Sequence, residues 1–392
     1  MRHLVLAVST LAVPLLALSA CGFEGTDRYA DDGTAADRSA NSTTQSLADS
    51  MASDDEGLGR KDPALAVPDP EQRPVMQAQV VLDRLGFGPG VIDGEAGLST
   101  QNALRGFQEV NKLPQSGELD PATVKALARW QAIPATRLVR IPQEWGEIAF
   151  TPTPSDRARQ AEMDKFEYES LTEKLAERFH TTPDVLAALN PGGRPAGVKG
   201  EGDDDRNASS GEVTFSAGQI IRVPNVGADR IAPDAVTDKG WIETLKALGV
   251  GTDQPEAVRV VVSKQAGTLR AYDESGKLVG LFTVSTGSAK DPLPLGKWQI
   301  KGIAYNPDYT YNPDLFWDAA KDEGKLRLPP GPNGPVGVVW IDLNKESYGI
   351  HGTPEPHTIG RAQSYGCVRL TNWDAARLAQ MVSTDTQVEF VS

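Results

Sequence analysis

Cysteine, histidine and positive charge are all scarce in this sequence, and each shortage narrows its function. The 392 residues include two cysteines, Cys21 and Cys367, and four histidines, His3, His180, His351 and His357. There is no cluster of metal-ligating side chains and no glycine-rich phosphate loop, so neither a metal nor a cofactor is implied. The acidic run Asp203-Asp204-Asp205 lacks the ligand spacing of a calcium loop and reads as solvated. Lys and Arg number 39 against 53 Asp and Glu, a formal net charge of −14, which argues against nucleic acid as a partner. Long apolar runs are missing too, with one exception. Leu4 to Leu18, behind Arg2 and His3, is too short to span a bilayer and has the form of a secretion signal ending at Cys21.

With Cys21 closing that signal, Cys367 is the one thiol left to the mature chain, on an export route where thiols usually end up paired. An unpaired cysteine there calls for a chemical role, and the best fit is a nucleophile. A free thiol, with a pKa of about 8.5, is little ionised at neutral pH unless a base takes its proton. His3 is lost with the signal and His180 lies in a separate segment. His351 stands sixteen positions before Cys367, after the apolar run Val336 to Ile341 and a strand-like lead-in, Tyr348-Gly349-Ile350. His357 sits in a proline-bracketed loop and reads as a rim residue. His351 is therefore the candidate base. Taken alone, the pair fits equally well a buried, inert cysteine beside a core histidine.

The flanking residues separate these readings. His351-Gly352-Thr353, Ile359-Gly360, Ser364-x-Gly366-Cys367-Val368-Arg369-Leu370 and Asn372-x-Asp374 follow in order. Upstream lie Val258 to Val262, Thr268 to Tyr272, Val284-Ser285-Thr286-Gly287 and Pro294 to Trp298. This pattern, from about Ala257 to Ser392, resembles the L,D-transpeptidase catalytic domain, often called the YkuD type. The resemblance implies a cysteine acyl-transfer enzyme. Its thiol attacks the carbonyl between the third and fourth residues of a peptidoglycan stem tetrapeptide, a D-amino acid leaves, and the thioester passes to an amine on a second stem, giving 3-3 type cross-links. Carried over by position, Cys367 is the nucleophile, His351 the base and then the acid, and the Gly352 carbonyl orients the imidazole. Backbone N–H groups around Gly366 and Cys367 would hold the oxyanion, with Ser364 among the substrate-binding residues. Arg369 either faces stem-peptide carboxylates or pairs with Asp374 at the surface.

Two positions depart from the family pattern: Tyr365 stands where many members carry a second histidine, and Leu293-Pro294 replaces the usual Thr-Pro. The acceptor stays open. Water would make the chain an L,D-carboxypeptidase, and a protein lysine would make it a lipoprotein-to-peptidoglycan attachment enzyme. An inactive wall-binding tether is the reading from a different class; the intact His351 and Cys367 count against it.

The remaining segments say where this chemistry happens. Leu18-Ser19-Ala20-Cys21-Gly22 matches the bacterial lipobox, which implies a signal peptide over residues 1–20 and lipidation of Cys21 as a membrane anchor. Gly22 favours the periplasmic face of the outer membrane if the host is Gram-negative. Residues 21–73 are polar and read as a disordered linker; roughly 50 such residues span on the order of 40 Å. Residues 74–131 have the helical spacings Val80-Val81-Leu82-x-x-Leu85 and Ala103-Leu104-x-x-Phe107-x-x-Val110, with Ser99 or Thr100 as a helix cap. They resemble a peptidoglycan-binding domain 1 module, a small helical bundle. Residues 166–226 resemble a LysM module, a βααβ unit that binds N-acetylglucosamine polymers, with a polar insert over 192–211.

In the catalytic domain, 257–392, hairpins are expected between Val258 and Val284. A long aromatic loop, Tyr305 to Pro335, reads as a lid or a plain surface loop. A helix capped by Asn372 and running through Met381 should precede a closing strand, Gln387 to Val391. The fold class is thus multidomain α+β with a mainly-β catalytic domain. The expected partners are peptidoglycan stem peptides and glycan strands, plus the membrane through lipidated Cys21. With excess carboxylate giving little attraction to an anionic wall, modules rather than charge should hold the enzyme in the cell envelope.

Overall fold

The computed structural model describes residues 63–198, 213–227, 230–315, 324–364 and 366–392. The signal 1–20, Cys21, most of the linker, Asp203 to Asp205 and the rest of the insert from 199, Phe316, Trp317 and Tyr365 lie outside the described residues. No helix among the described residues is long and apolar enough to cross a membrane.

The polar stretch expected as linker to residue 73 becomes packed backbone at its end. Thr136 Oγ1 donates to Asp69 at 2.6 Å, and Arg222 donates to the carbonyls of Val67 and Pro68 at 3.4 and 3.1 Å. These long-range bonds order a segment whose composition alone would leave it loose. Helix α1 (Pro74–Arg84) then starts on a proline, whose fixed φ suits the first turn. After β1 (Phe87–Gly88) come α2 (Leu98–Val110) and α3 (Pro121–Leu127). Val80, Leu82, Leu104 and Phe107 are buried, on the face their spacing predicts. The cap of α2 is Gly97, not Ser99 or Thr100. Thr100 is buried instead, donating to the Glu95 carbonyl at 2.9 Å and accepting from Gln79 at 3.0 Å.

Strand β2 (Thr136–Arg140) leads into α4 (Arg157–Ala161), α5 (Leu171–Arg178) and α6 (Pro183–Leu189). Ser170 and Thr182 cap the last two through their hydroxyls. Strand β3 (Ile220–Pro224) returns antiparallel to β2. The partner strand of β3 therefore lies upstream of the 166–226 span. One apolar core runs through these elements except α4, from Met76 to Val226, and takes in Leu278 and Leu281 of the catalytic domain.

Helix α7 (Lys239–Leu248), capped by Asp238, precedes the sheet strands β4 (Arg259–Ser263), β5 (Thr268–Tyr272), β6 (Leu278–Thr283) and β7 (Gly296–Tyr305). Two short strands, β8 (Tyr309–Tyr311) and β9 (Leu326–Leu328), pair as a hairpin inside the aromatic loop. The sheet continues with β10 (Val339–Leu343), β11 (Gly349–His351) and β12 (Val368–Arg369), then α8 (Asn372–Met381) and β13 (Gln387–Val391). Among the described residues it has nine strands in the order β1-β6-β5-β4-β13-β7-β10-β11-β12. Val260 and Val262 of β4 are buried while Arg259, Val261 and Ser263 are half-exposed, the period of two that a one-sided sheet demands. Trp241, Trp373 and Leu378 pack in the same core as these valines.

Helix α8 departs from expectation at its start. Thr371 is the cap, its hydroxyl accepting the Asp374 N–H at 3.2 Å, while Asn372 is the first helical residue. The N-terminal helices are joined to the catalytic sheet in several ways. β1 pairs parallel with β6, Asn102 donates to Thr283 Oγ1 at 3.2 Å, and Arg270 pairs with Glu109. Deepest is Asp83 on α1. Arg377 of α8 grips its carboxylate at 2.8 and 3.0 Å, and His180 Nδ1 meets it at 3.2 Å.

Candidate active site

Three strands set the positions of the candidate side chains. β10 pairs antiparallel with β11, placing Trp340 opposite His351. β12 pairs parallel with β11, placing Val368 beside Ile350 and Arg369 beside His351. Ile350 and Val368 are buried in the sheet core. Neighbouring residues on a strand point to opposite faces, so His351 and Arg369 share the other face, and Cys367 lies in the bend just before β12, close enough to Arg369 to feel its charge. The pairing of β11 with β12 therefore sets the backbone leading out of Cys367 alongside the strand that carries His351.

His351 is 4% exposed and stacks on Trp340, ring centroids 5.4 Å apart. Its Nδ1 lies 2.7 Å from the Gly352 carbonyl. A carbonyl can only accept, so Nδ1 carries the proton and Nε2 keeps its lone pair. Burial first, then the adjacent Arg369 charge, lowers the imidazole pKa to about 3, although the Gly352 bond favours the protonated form. Burial also raises the Cys367 thiol pKa, opposed by the Gly349 backbone bond and by Arg369. The thiol itself points to the Ser347 carbonyl at 3.7 Å. At neutral pH the site holds a neutral thiol and a neutral imidazole.

The turn before the cysteine is closed by Ser364. Its hydroxyl donates to the Cys367 carbonyl at 2.6 Å and accepts the Gly366 N–H at 3.2 Å. An oxyanion seeking the Gly366 N–H would have to displace that bond. Gly366 has φ +107, and a Cβ there would sit 2.7 Å from the Tyr348 ring, so the position admits no other residue without strain. The Val284 to Gly287 motif acts as a brace. Ser285 exchanges backbone bonds with Arg369 at 3.1 and 2.9 Å, and Ser364 N donates to Thr286 O at 3.0 Å.

Arg369 is half-buried, and its Nε has no hydrogen-bond partner. It does not pair with Asp374, which is buried close to Arg377 and Asp83 instead. Tyr309, on the β8–β9 hairpin, is close enough to Arg369 and to Cys367 for its phenol to be coupled to both; burial chiefly raises its pKa to about 12. His357 is exposed on a short 3-10 turn, and His180 is buried between modules. Ser347, Tyr348, Gly349, Trp340 and Tyr309 were not legible as site residues. Of these, Tyr348 and Gly349 carried a signal as the strand leading into His351, and Tyr309 as part of the aromatic loop that reads as a lid.

Residues 257–390 match the L,D-transpeptidase catalytic domain family, YkuD, and residues 71–127 match a peptidoglycan binding domain. L,D-transpeptidase YkuD of Bacillus licheniformis is 29% identical over 216 residues, 55% of this chain and 90% of that protein. L,D-transpeptidase YbiS of Escherichia coli is 39% identical over 136 residues, 34% of this chain and 44% of that protein. The chain thus spans most of the first relative and less than half of the second. The NMR structure of the catalytic domain from Enterococcus faecium L,D-transpeptidase superposes with a TM-score of 0.26 at 18% identity, over 34% of this chain and 97% of that one. The chain is mixed α+β with a β-rich L,D-transpeptidase catalytic domain behind a helical N-terminal region. Its catalytic domain is that of an L,D-transpeptidase enzyme, it also carries a peptidoglycan binding domain, and these cell-wall domains imply a role in the cell envelope.

Proposed function

We propose that this enzyme forms 3-3 type cross-links in the cell wall, with Cys367 as nucleophile and His351 as base. The observation that carries the reading is the pairing of β11 with β12, which sets Arg369 beside His351 two residues after Cys367, with Nδ1–H of His351 engaged by the Gly352 carbonyl at 2.7 Å. Nε2 takes the thiol proton as sulfur attacks the stem-peptide carbonyl. The tetrahedral oxyanion is held by backbone donors of the turn, the Cys367 N–H first, because Gly366 N–H is bonded to Ser364. Collapse forms the thioester, and the proton on Nε2 goes to the departing D-amino acid. The amine of a second stem then attacks the thioester, giving its proton to His351 and releasing the thiol. Arg369, with Nε unpartnered, receives a carboxylate of the stem.

The finer placement belongs to the same proposal. Leu4 to Cys21 is a lipoprotein signal that leaves Cys21 acylated, and the segment closed by β2 and β3 around α5 and α6 is a LysM-like glycan-binding unit. The similarity to the Bacillus licheniformis relative, 216 residues long, extends upstream of the catalytic domain and supports a shared arrangement there.

Incubating the chain with disaccharide-tetrapeptides, beside its Cys367→Ala variant, tests the reading by mass spectrometry. Cysteine-dependent dimers lacking one terminal D-residue are expected. Tripeptides without dimers would instead make the enzyme a carboxypeptidase. Transfer only to a protein lysine would make it an attachment enzyme, and no cysteine-dependent product would leave a wall-binding tether.

A further inference from the structure

The Asn372-x-Asp374 motif has no role in the chemistry described so far, yet Asn372 is wholly buried at the start of α8 with its side chain against Gly337 and Gly352. Its Oδ1 accepts the Val338 N–H at 3.3 Å. Its Nδ2 donates to the Pro332 carbonyl at 3.1 Å and reaches Glu177 of α5 at 3.5 Å. A donor on one side and acceptors on the other fix which way the amide faces. Two glycines make room for it. A Cβ on Gly337, where φ is +59, would lie 2.0 Å from Asn372 Oδ1 and 2.9 Å from the Gly352 carbonyl carbon. A Cβ on Gly352 would lie 2.4 Å from the same Oδ1. Asn372, Gly337 and Gly352 are therefore in direct contact, and Gly352 supplies the carbonyl that takes the Nδ1 proton of His351.

We propose that Asn372 is a positioning residue for the acyl-transfer reaction. Its amide wedges the Gly352 carbonyl in place and thereby fixes the tautomer and ring orientation of His351. This rests on the reading of His351 as the base. The same wedge gives the motif a physical reason: an apolar side chain of this size would leave the Val338 N–H unpaired, and a larger one would push Gly352 outward.

The test compares the full chain with its Asn372→Ala and Asn372→Asp variants. Turnover of disaccharide-tetrapeptide is measured together with the ¹⁵N imidazole spectrum of histidine-labelled protein, with His351 assigned through His351→Gln. In Asn372→Ala, kcat should fall about 10- to 100-fold, with KM within about twofold. The His351 signal should change from a single Nδ1–H tautomer to a mixture. Asn372→Asp offers the same acceptor and donor once its carboxyl is protonated, so the wild-type tautomer and rate should return as pH is lowered. An unchanged tautomer in Asn372→Ala overturns the proposal, whether or not turnover falls. Cysteine-dependent turnover missing from the wild type would instead sink the base and nucleophile assignments, while the ¹⁵N spectrum would still read Asn372 by itself.

Discussion

At Cys367 and His351 the surroundings push both groups away from a resting ion pair. Burial raises the thiol pKa, and burial with Arg369 lowers that of the imidazole to about 3. Arg369 favours a thiolate and disfavours an imidazolium, so the proton moves as sulfur attacks and not before. The free enzyme should therefore show no pool of thiolate at mildly acidic pH. Labelling of Cys367 by iodoacetamide, read by peptide mass mapping, should keep rising with pH past the range where a free thiol levels off. It should show no step near the ordinary histidine pKa of about 6.5. A plateau of reactivity from about pH 5 to 7 would mean that a preformed ion pair exists.

At the scale of elements, legibility followed length and locality. β4 and β13 were readable because an alternating or continuous apolar run of five residues is itself a strand signal. β1 and β12, of two residues each, exist because another strand, distant in sequence for β1, supplies their partners. The hairpin of β8 and β9, three residues a side, was hidden in a loop with no period. Capping was readable in kind but not always in position. Thr371 and Asn372 are both good cap residues, and only the buried contacts of Asn372 decide between them. The same limit holds for the site. Cys367 and His351 stand out by residue type and spacing, whereas the approach of their two chain segments depends on the Ile350–Val368 register. The neighbours Trp340 and Tyr309 are brought in by tertiary packing alone.

At the scale of the molecule, catalytic sheet and N-terminal helices are joined through buried charge. Burial alone would raise the Asp83 pKa, but Arg377 and His180 outweigh it and hold the carboxyl well below its usual range. Arg377→Ala leaves that carboxylate buried beside His180 alone and should cost about 3–5 kcal/mol in denaturant unfolding. A loss under about 1 kcal/mol would show that the pair contributes little.

Two further buried carboxyls act in the opposite sense. Burial raises Asp374 to about 7 and Glu177 to about 8. The folded chain thus binds more protons than the unfolded one from about pH 4 upward. Their contribution is fully present below that range and is lost as pH rises through 7 and 8. The Asp83 contribution is lost only in strong acid. Unfolding midpoints should therefore peak at mildly acidic pH, and Asp374→Asn should flatten the decline toward pH 8.

The central claim is that Cys367 carries the acyl group. Its most direct test is the intact mass of the enzyme, quenched in acid during turnover of disaccharide-tetrapeptide. An adduct of one acyl group lacking the terminal D-residue, removed by hydroxylamine and absent from Cys367→Ala, is the predicted result. Turnover with no such adduct, or an adduct that survives in Cys367→Ala, would contradict it.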